Sequence, residues 1–496
     1  MEILFYDTKS GDKTFSVDNI FFHSKYAPKT EAERFLSANP FDYSPKVIIV
    51  VEPGFSYLYS PLKKKYPDSK IGIIRIITQV PDSSVWDFCI NFTDLSKESL
   101  KNLFTESELL STQFLCWSAA QKLFSTEIKN IFGIFKESFE EAKSLIITRQ
   151  YFEKKWLINA FNNIKYLEKY TDLTKKINVP VVITASGPSL KEALPYIKKY
   201  SDRIFIICLS SALSVLLKYQ IKPDLVLTSD GGFWAGQHLK KLSNIHFSQN
   251  NIIALPAEAY IPGSITEQNI ILPLSYHDGL TKDFLKICGI KSIKAERNGT
   301  VSGTALELAR TISENVIYFC GLDLCSSKGF QHTQPNEIEI NSQITDNRIS
   351  TSEGRASKSG FNSYSLSIYR SWFCQQTGLS QVYRIIEKGS QKSLGNIKDI
   401  TIEDFENKIK GYQKKSEYFM PTKEISKERK QKILKILFEH TEELLQSQVN
   451  LEQLFPLDFI SLRHCRNEDE KKEVMQRIEN NLTSLKNKIK KICGIK

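Results

Sequence analysis

The sequence has no Cys-x-x-Cys pair among its nine cysteines, and no cysteine has a histidine companion at zinc spacing. Neither a structural zinc site nor a disulfide framework is expected, and the thiols read as reduced groups of a cytoplasmic protein, several in buried strands. No apolar run approaches the about 20 residues of a membrane span. The longest, "IFIICLSSALSVLL" at 204–217, reads as strand, turn and helix, and the opening "MEILFYDTKSGDK" lacks the basic-then-apolar order of a signal peptide. The Lys-Ser/Thr of a P-loop is missing, as is the glycine spacing of a dinucleotide fingerprint. Lys and Arg number 67 against 56 Asp and Glu, a net charge of +11, yet no zinc finger, basic helix or aromatic-rich RNA signature accompanies them. The excess suits a basic cleft for a negatively charged small molecule, and no nucleic-acid partner is expected.

What is present is a soluble composition, 41% hydrophobic and 25% charged over 496 residues, enough for two or three domains. Residues 1–115, with "KVIIVVEPG" and "KIGIIRIIT", read as a small N-terminal α/β domain. Residues 116–177 turn helical, with Phe132, Ile134, Phe135, Phe139, Ala142 and Leu145 in mostly three- and four-residue steps. From 178 to 400, "VPVVITA", "RIFIICL", "PDLVLTSD", "NIIALPAE", "NIILPLS" and "NVIYFCGLDL" alternate with helical stretches. That alternation predicts a Rossmann-like, mainly parallel sheet with both faces covered. Residues 401–496 read as a helical C-terminal domain, where Val474, Ile478, Leu482, Leu485, Ile489 and Ile492 form a stripe expected to pack on its own domain. Within the central domain, 327–362 is polar and aperiodic, a lid or plain disorder.

Ligands of parallel sheets sit beyond the carboxyl ends of the strands. That rule selects Ser186, Gly187, Pro188 and Ser189, then Ser210, Asp230 to Gly232, and Asp323. In "ASGPSL" a strand meets a helix through small residues, with Pro188 fitted to the first helical position, so free N–H groups and the helix dipole are expected to attract a phosphate. The other reading of the turn is a capped helix without a ligand. In "RNGTVSGTALELA", Ser302, Gly303 and Thr304 open a second helix, as nucleotide contacts or as its cap. Asp230 suits orienting a substrate hydroxyl, binding a cation, or bonding nearby backbone. His332, in "SKGFQHTQ", has an intrinsic pKa suited to a general base but reads as loop chemistry from its surroundings alone.

"FFHSKYAPKTEAERFL", "VVITASGPSL", "KPDLVLTSD", "SGTALELA" and "CGLDL" occur in an order that resembles the motility-associated factor family, bacterial flagellin glycosyltransferases whose central domain resembles certain bacterial sialyltransferases. The resemblance covers most of residues 1–400. It implies transfer of a nonulosonic acid, pseudaminic or legionaminic in type, from its CMP-activated form to Ser or Thr hydroxyls of flagellin. It places Gly187-Pro188-Ser189-Leu190 beside the nucleotide, Ser210 at the end of the next strand, Ser302, Gly303 and Thr304 in the second nucleotide-facing segment, and His332 as the base. It implies no metal and no cofactor beyond the CMP-sugar co-substrate. Two departures stand out. Ala185 replaces the first glycine of Gly-x-Gly-Pro-Ser-Leu, and the repeated glycines of the family's N-terminal domain correspond to Glu52, Gly54 and Ser56.

Two other readings fit the same chain. One is a pyrophosphokinase acting on a hydroxymethyl-pterin with ATP and magnesium, from the same broad superfamily. The other is a non-catalytic flagellin-binding assembly factor.

Overall fold

The computed structural model describes the chain apart from residues 1, 81–84, 244–250, 326–329, 346, 348–363, 387–390, 415–417, 466 and 496. It divides into two compact units, residues 1–151 with 451–482 and residues 152–450 with 483–496. The boundaries read from the sequence, 115, 177 and 400, fall elsewhere. Helix Ser125–Tyr166 continues for 42 residues without a break at the first division, and the C-terminal helices are shared between the units.

The first unit holds a four-stranded parallel sheet in the order Phe88–Asn91, Lys70–Arg75, Val47–Val51, Thr112–Cys116. Every residue of Val47–Val51 is buried, as a central parallel strand requires. A three-stranded antiparallel sheet, Ile3–Asp7, Lys13–Val17 and Ile20–Phe21, accompanies it. On helix Ser125–Tyr166 the buried face is Ile131, Phe135, Ser138, Ala142 and Ile146. Phe132 and Leu145, read as part of that face, are exposed because they lie off the four-residue steps running through Phe135.

The second unit is built on an 11-stranded sheet. In chain order its strands are β1 (Lys169–Tyr170), β2 (Val181–Thr184), β3 (Phe205–Leu209), β4 (Leu225–Leu227), β5 (Ile252–Pro256), β6 (Ile270–Ser275), β7 (Ile293–Lys294), β8 (Ile317–Cys320), β9 (Val382–Ile385), β10 (Lys398–Ile400) and β11 (Lys423–Glu424). They lie in the order β10-β9-β8-β2-β3-β4-β5-β6-β1-β11, with β7 beside β6, and all pairs are parallel except β11 with β1. All six strands read from the alternation are present, and this is the expected α/β architecture. From β2 the chain winds outward through β3 to β6, then returns to the other side of β2 as β8 and winds the opposite way through β9 and β10. The crevice of such a reversal opens between the carboxyl ends of β2 and β8. Helices α1 (Leu190–Lys199), α2 (Leu213–Lys218), α3 (Phe233–Leu239), α4 (Val301–Ile312), α5 (Glu337–Thr345) and α6 (Tyr364–Gln375) frame that edge. Leu306, Leu308 and Ile312 of α4 pack with Ile183, Ile207 and Leu227 in the main core.

Candidate functional site

At the crevice the two turns are pressed together. Gly187 N donates to Gly321 O at 2.8 Å and Ser189 N to Asp323 Oδ2 at 2.7 Å. A Cβ on Gly187 would lie 2.4 Å from Gly321 O and 2.6 Å from Asp323 Oδ2, so only glycine fits there. We expect Gly187→Ala to destabilise the protein by about 1–3 kcal/mol, read as a lowered thermal midpoint. A midpoint matching the parent would mean that the turns separate freely.

This geometry alters the reading of "ASGPSL". The Asp323 carboxylate, expected among the nucleotide contacts, itself caps α1 and fills a donor expected to meet phosphate. Pro188 stands before the helix, which starts at Leu190, and not at its first position. The Ser189 hydroxyl makes no cap bond, and its Oγ is buried with no hydrogen-bond partner among the described residues. Asp323 is held in place by Arg384 of β9, fully buried, which donates to Leu322 O at 3.1 Å and grips Asp399 at 2.7 and 2.9 Å.

Ser210 is buried in the turn that follows β3. Ser302, Gly303 and Thr304 form the first turn of α4. The cap, however, is Thr300, whose hydroxyl accepts from Ser302 N at 3.3 Å. Asp230 ends the β4 edge exposed, and its Oδ1 accepts from Gly232 N at 2.8 Å, the local backbone bond foreseen as one of its roles.

Of the expected lid, residues 327–329, 346 and 348–362 lie outside the described residues. The described part is neither aperiodic nor loose. It contains α5, and it is tied to the crevice by Thr333 N to Ser186 O at 2.7 Å and Thr333 Oγ1 to Gly187 O at 2.7 Å. Asn336, fully buried, donates to Ser211 O. Glu337 binds His238 Nδ1 at 2.7 Å and the Ser214 hydroxyl. His332 thus sits beside the turn that follows β2. Its Nδ1 lies 3.0 Å from Glu339 Oε1, which also accepts the N–H groups of Gln331 and His332. Burial alone would raise the Glu339 carboxyl, but its bonds to His332 and the backbone outweigh that and hold it below its usual range. An ionised Glu339 favours the tautomer with the proton on Nδ1, which leaves the Nε2 lone pair able to accept a proton.

A second cluster at the same edge was not foreseen. Arg297 is sandwiched between Trp156, at 4.1 Å, and Tyr276, at 4.4 Å. It pairs with Glu258 at 3.3 Å and Asp278 at 3.2 Å. Burial raises the Glu258 carboxyl and pushes Tyr276 up to about 12. Asn159 donates to Gly231 O and Glu258 O, tying the end of helix Ser125–Tyr166 to the β4 and β5 edges. The one sequence signal was position: Arg297 directly precedes the "NGTVSGT" segment.

In the first unit the equivalent sheet edge is filled by protein. Glu52, fully buried at φ +41°, accepts from Arg75 at 2.8 Å, Ile76 N at 2.6 Å, Ile77 N at 2.7 Å and Gly54 N at 3.2 Å. His23 Nε2 accepts from Phe55 N at 2.9 Å, and burial, with the Arg75 charge, pushes its pKa down to about 3, so it is neutral.

An uncharacterised protein of Treponema pallidum (strain Nichols) is 30% identical over 350 residues, which span 68% of this chain and 74% of that protein. The chain belongs to that protein's family. Another uncharacterised Treponema pallidum protein is 24% identical over 116 residues, 23% of this chain and 54% of that one. Within this family member, residues 154–329 match the model of the 6-hydroxymethylpterin diphosphokinase MptE-like family. Its fold is that of the MAf glycosyltransferase from Magnetospirillum magneticum AMB-1, with a TM-score of 0.55, 12% identity, and coverage of 99% of this chain and 90% of that one. The fold is the one that the expected motility-associated factor resemblance implies. Among the described residues, no helix is long and apolar enough to cross a membrane, and no group of three or more His, Cys, Asp and Glu is arranged to hold a metal.

Proposed function

We propose that the chain is a cytoplasmic glycosyltransferase that moves a nonulosonic acid, of pseudaminic or legionaminic type, from a CMP-activated donor to Ser or Thr hydroxyls of flagellin. The observation that carries the reading is the His332–Glu339 pair beside the 186–189 turn, at the crevice where the strand order reverses. In the step proposed, the acceptor oxygen bonds to the anomeric carbon as that carbon's bond to the phosphate oxygen breaks. His332 Nε2 takes the acceptor proton, and the electron pair leaves on the phosphate of CMP. The Ser189 hydroxyl is the group we assign to that phosphate, and Ser210, Ser302, Gly303 and Thr304 complete the nucleotide side. We assign the reaction no metal and no resident cofactor.

The test is transfer itself. Purified chain, a CMP-activated nonulosonic acid and flagellin are combined, and the flagellin mass is followed with and without a chelator. A sugar-sized mass gain that survives chelation supports the reading. Calorimetry that finds ATP with magnesium bound in preference to CMP favours the pterin pyrophosphokinase instead. Flagellin binding without nucleotide binding or transfer favours the assembly factor.

A further inference from the structure

The loops 229–232 and 297–300 meet across Trp156. A Cβ on Gly231 would lie 2.6 Å from the Trp156 ring, whose face carries Arg297. Gly299, at φ +75°, turns toward Tyr369 of α6, whose Cε1 lies 4.0 Å from where a Cβ would be. Burial raises the pKa of the Tyr369 hydroxyl, and the Asp230 charge adds to that rise. Asn298, whose amide lies against Gly303 in the first turn of α4, uses Oδ1 to accept from Thr300 N, while its Nδ2 is buried with no partner among the described residues. A buried amide donor of that kind costs free energy unless something accepts from it.

We propose that Asn298, Tyr369 and Asp230 form a subsite for the uncharged polar groups of an acidic sugar, its ring hydroxyls and acylamino carbonyl. Asn298 Nδ2 donates, Asp230 accepts, and the Tyr369 hydroxyl does either. The sugar's carboxylate does not belong here, because Asp230 is itself a carboxylate and Arg297 is already paired with Glu258 and Asp278. This subsite deepens the glycosyltransferase reading and rests on it for the class of ligand. Its polar donors and acceptors match a polyol better than a phosphate.

The test uses the full chain and two probes measured separately: free N-acetylneuraminic acid by saturation-transfer NMR, and CMP by calorimetry. Asn298→Asp keeps the acceptor to Thr300 and removes the amide donor, and Tyr369→Phe removes only the hydroxyl. We expect each variant to weaken sugar binding about tenfold, and Tyr369→Phe to leave CMP binding within about twofold of the parent. Sugar binding unchanged in both variants, or no sugar binding by the parent, overturns the subsite. Where Asn298→Asp weakens both probes together and lowers the thermal midpoint, Tyr369→Phe decides: selective loss of sugar supports the subsite, and no loss overturns it. Sugar binding that depends on Asn298 in a chain that ignores CMP supports the subsite and overturns the CMP-donor reading instead.

Discussion

His332→Ala is expected to lower sugar transfer by about 10²–10⁴-fold, the usual contribution of a positioned acid or base. The effect should fall on turnover, with flagellin binding and the thermal midpoint near those of the parent, since His332 is partly exposed and its ring makes one described hydrogen bond. Glu339→Gln is the companion. It preserves the shape of the contact but removes the charge that favours the proton on Nδ1, so transfer should drop less and its dependence on pH should shift. Transfer by His332→Ala at the parent's rate would remove the histidine from the chemistry and return it to a loop role.

The largest stability effect is expected at Glu52. Its carboxylate gathers the Arg75 guanidinium and three backbone N–H groups inside the first unit, with both side chains almost fully buried. Removing one partner of a buried pair strands the other, and losses of about 3–5 kcal/mol are typical. Glu52→Ala should therefore expose Val47–Val51 to hydrogen exchange at much lower urea than in the parent, while β2 to β5 of the second unit keep their protection. A change under about 1 kcal/mol would mean that water replaces Glu52 at little cost. This filled edge also accounts for the departure at Glu52: a buried carboxylate occupies a position to which the resemblance assigns a glycine.

The two predictions draw on different depths of the sequence. The six central strands were legible because parallel strands covered on both faces are unbroken apolar runs, and their ends marked the edge where Ser189, Asp230 and His332 lie. What local pattern did not carry was partnership. Nothing near Asp323 signals that it caps a helix beginning at Leu190, or that Arg384 holds its loop. Glu339 lies only seven residues beyond His332, yet its role as orienter depends on a helix read as an aperiodic insertion. The Trp156–Arg297–Tyr276 stack joins three segments far apart in the chain, and periodicity reports none of them. At the α4 start a hydroxyl cap was read two to four residues too late, since Thr300 and not Ser302 or Thr304 accepts from Ser302 N.

The reversal of strand order has a consequence for how the chain comes into being. Val181 of β2 must wait for Ile317 of β8 before the centre of the sheet closes. During synthesis β2 therefore spends the time needed to make more than a hundred further residues with one edge unpaired. Closure over so long a loop is slow, and an open parallel edge invites wrong partners meanwhile. The same order argues against treating residues 154–329 as a unit to be expressed alone. Such a fragment stops before β9, leaves β8 as a bare edge, and deprives Leu322 O of the Arg384 donor that steadies the crevice. It should aggregate, whereas a chain carried through β10 holds every strand that closes that side.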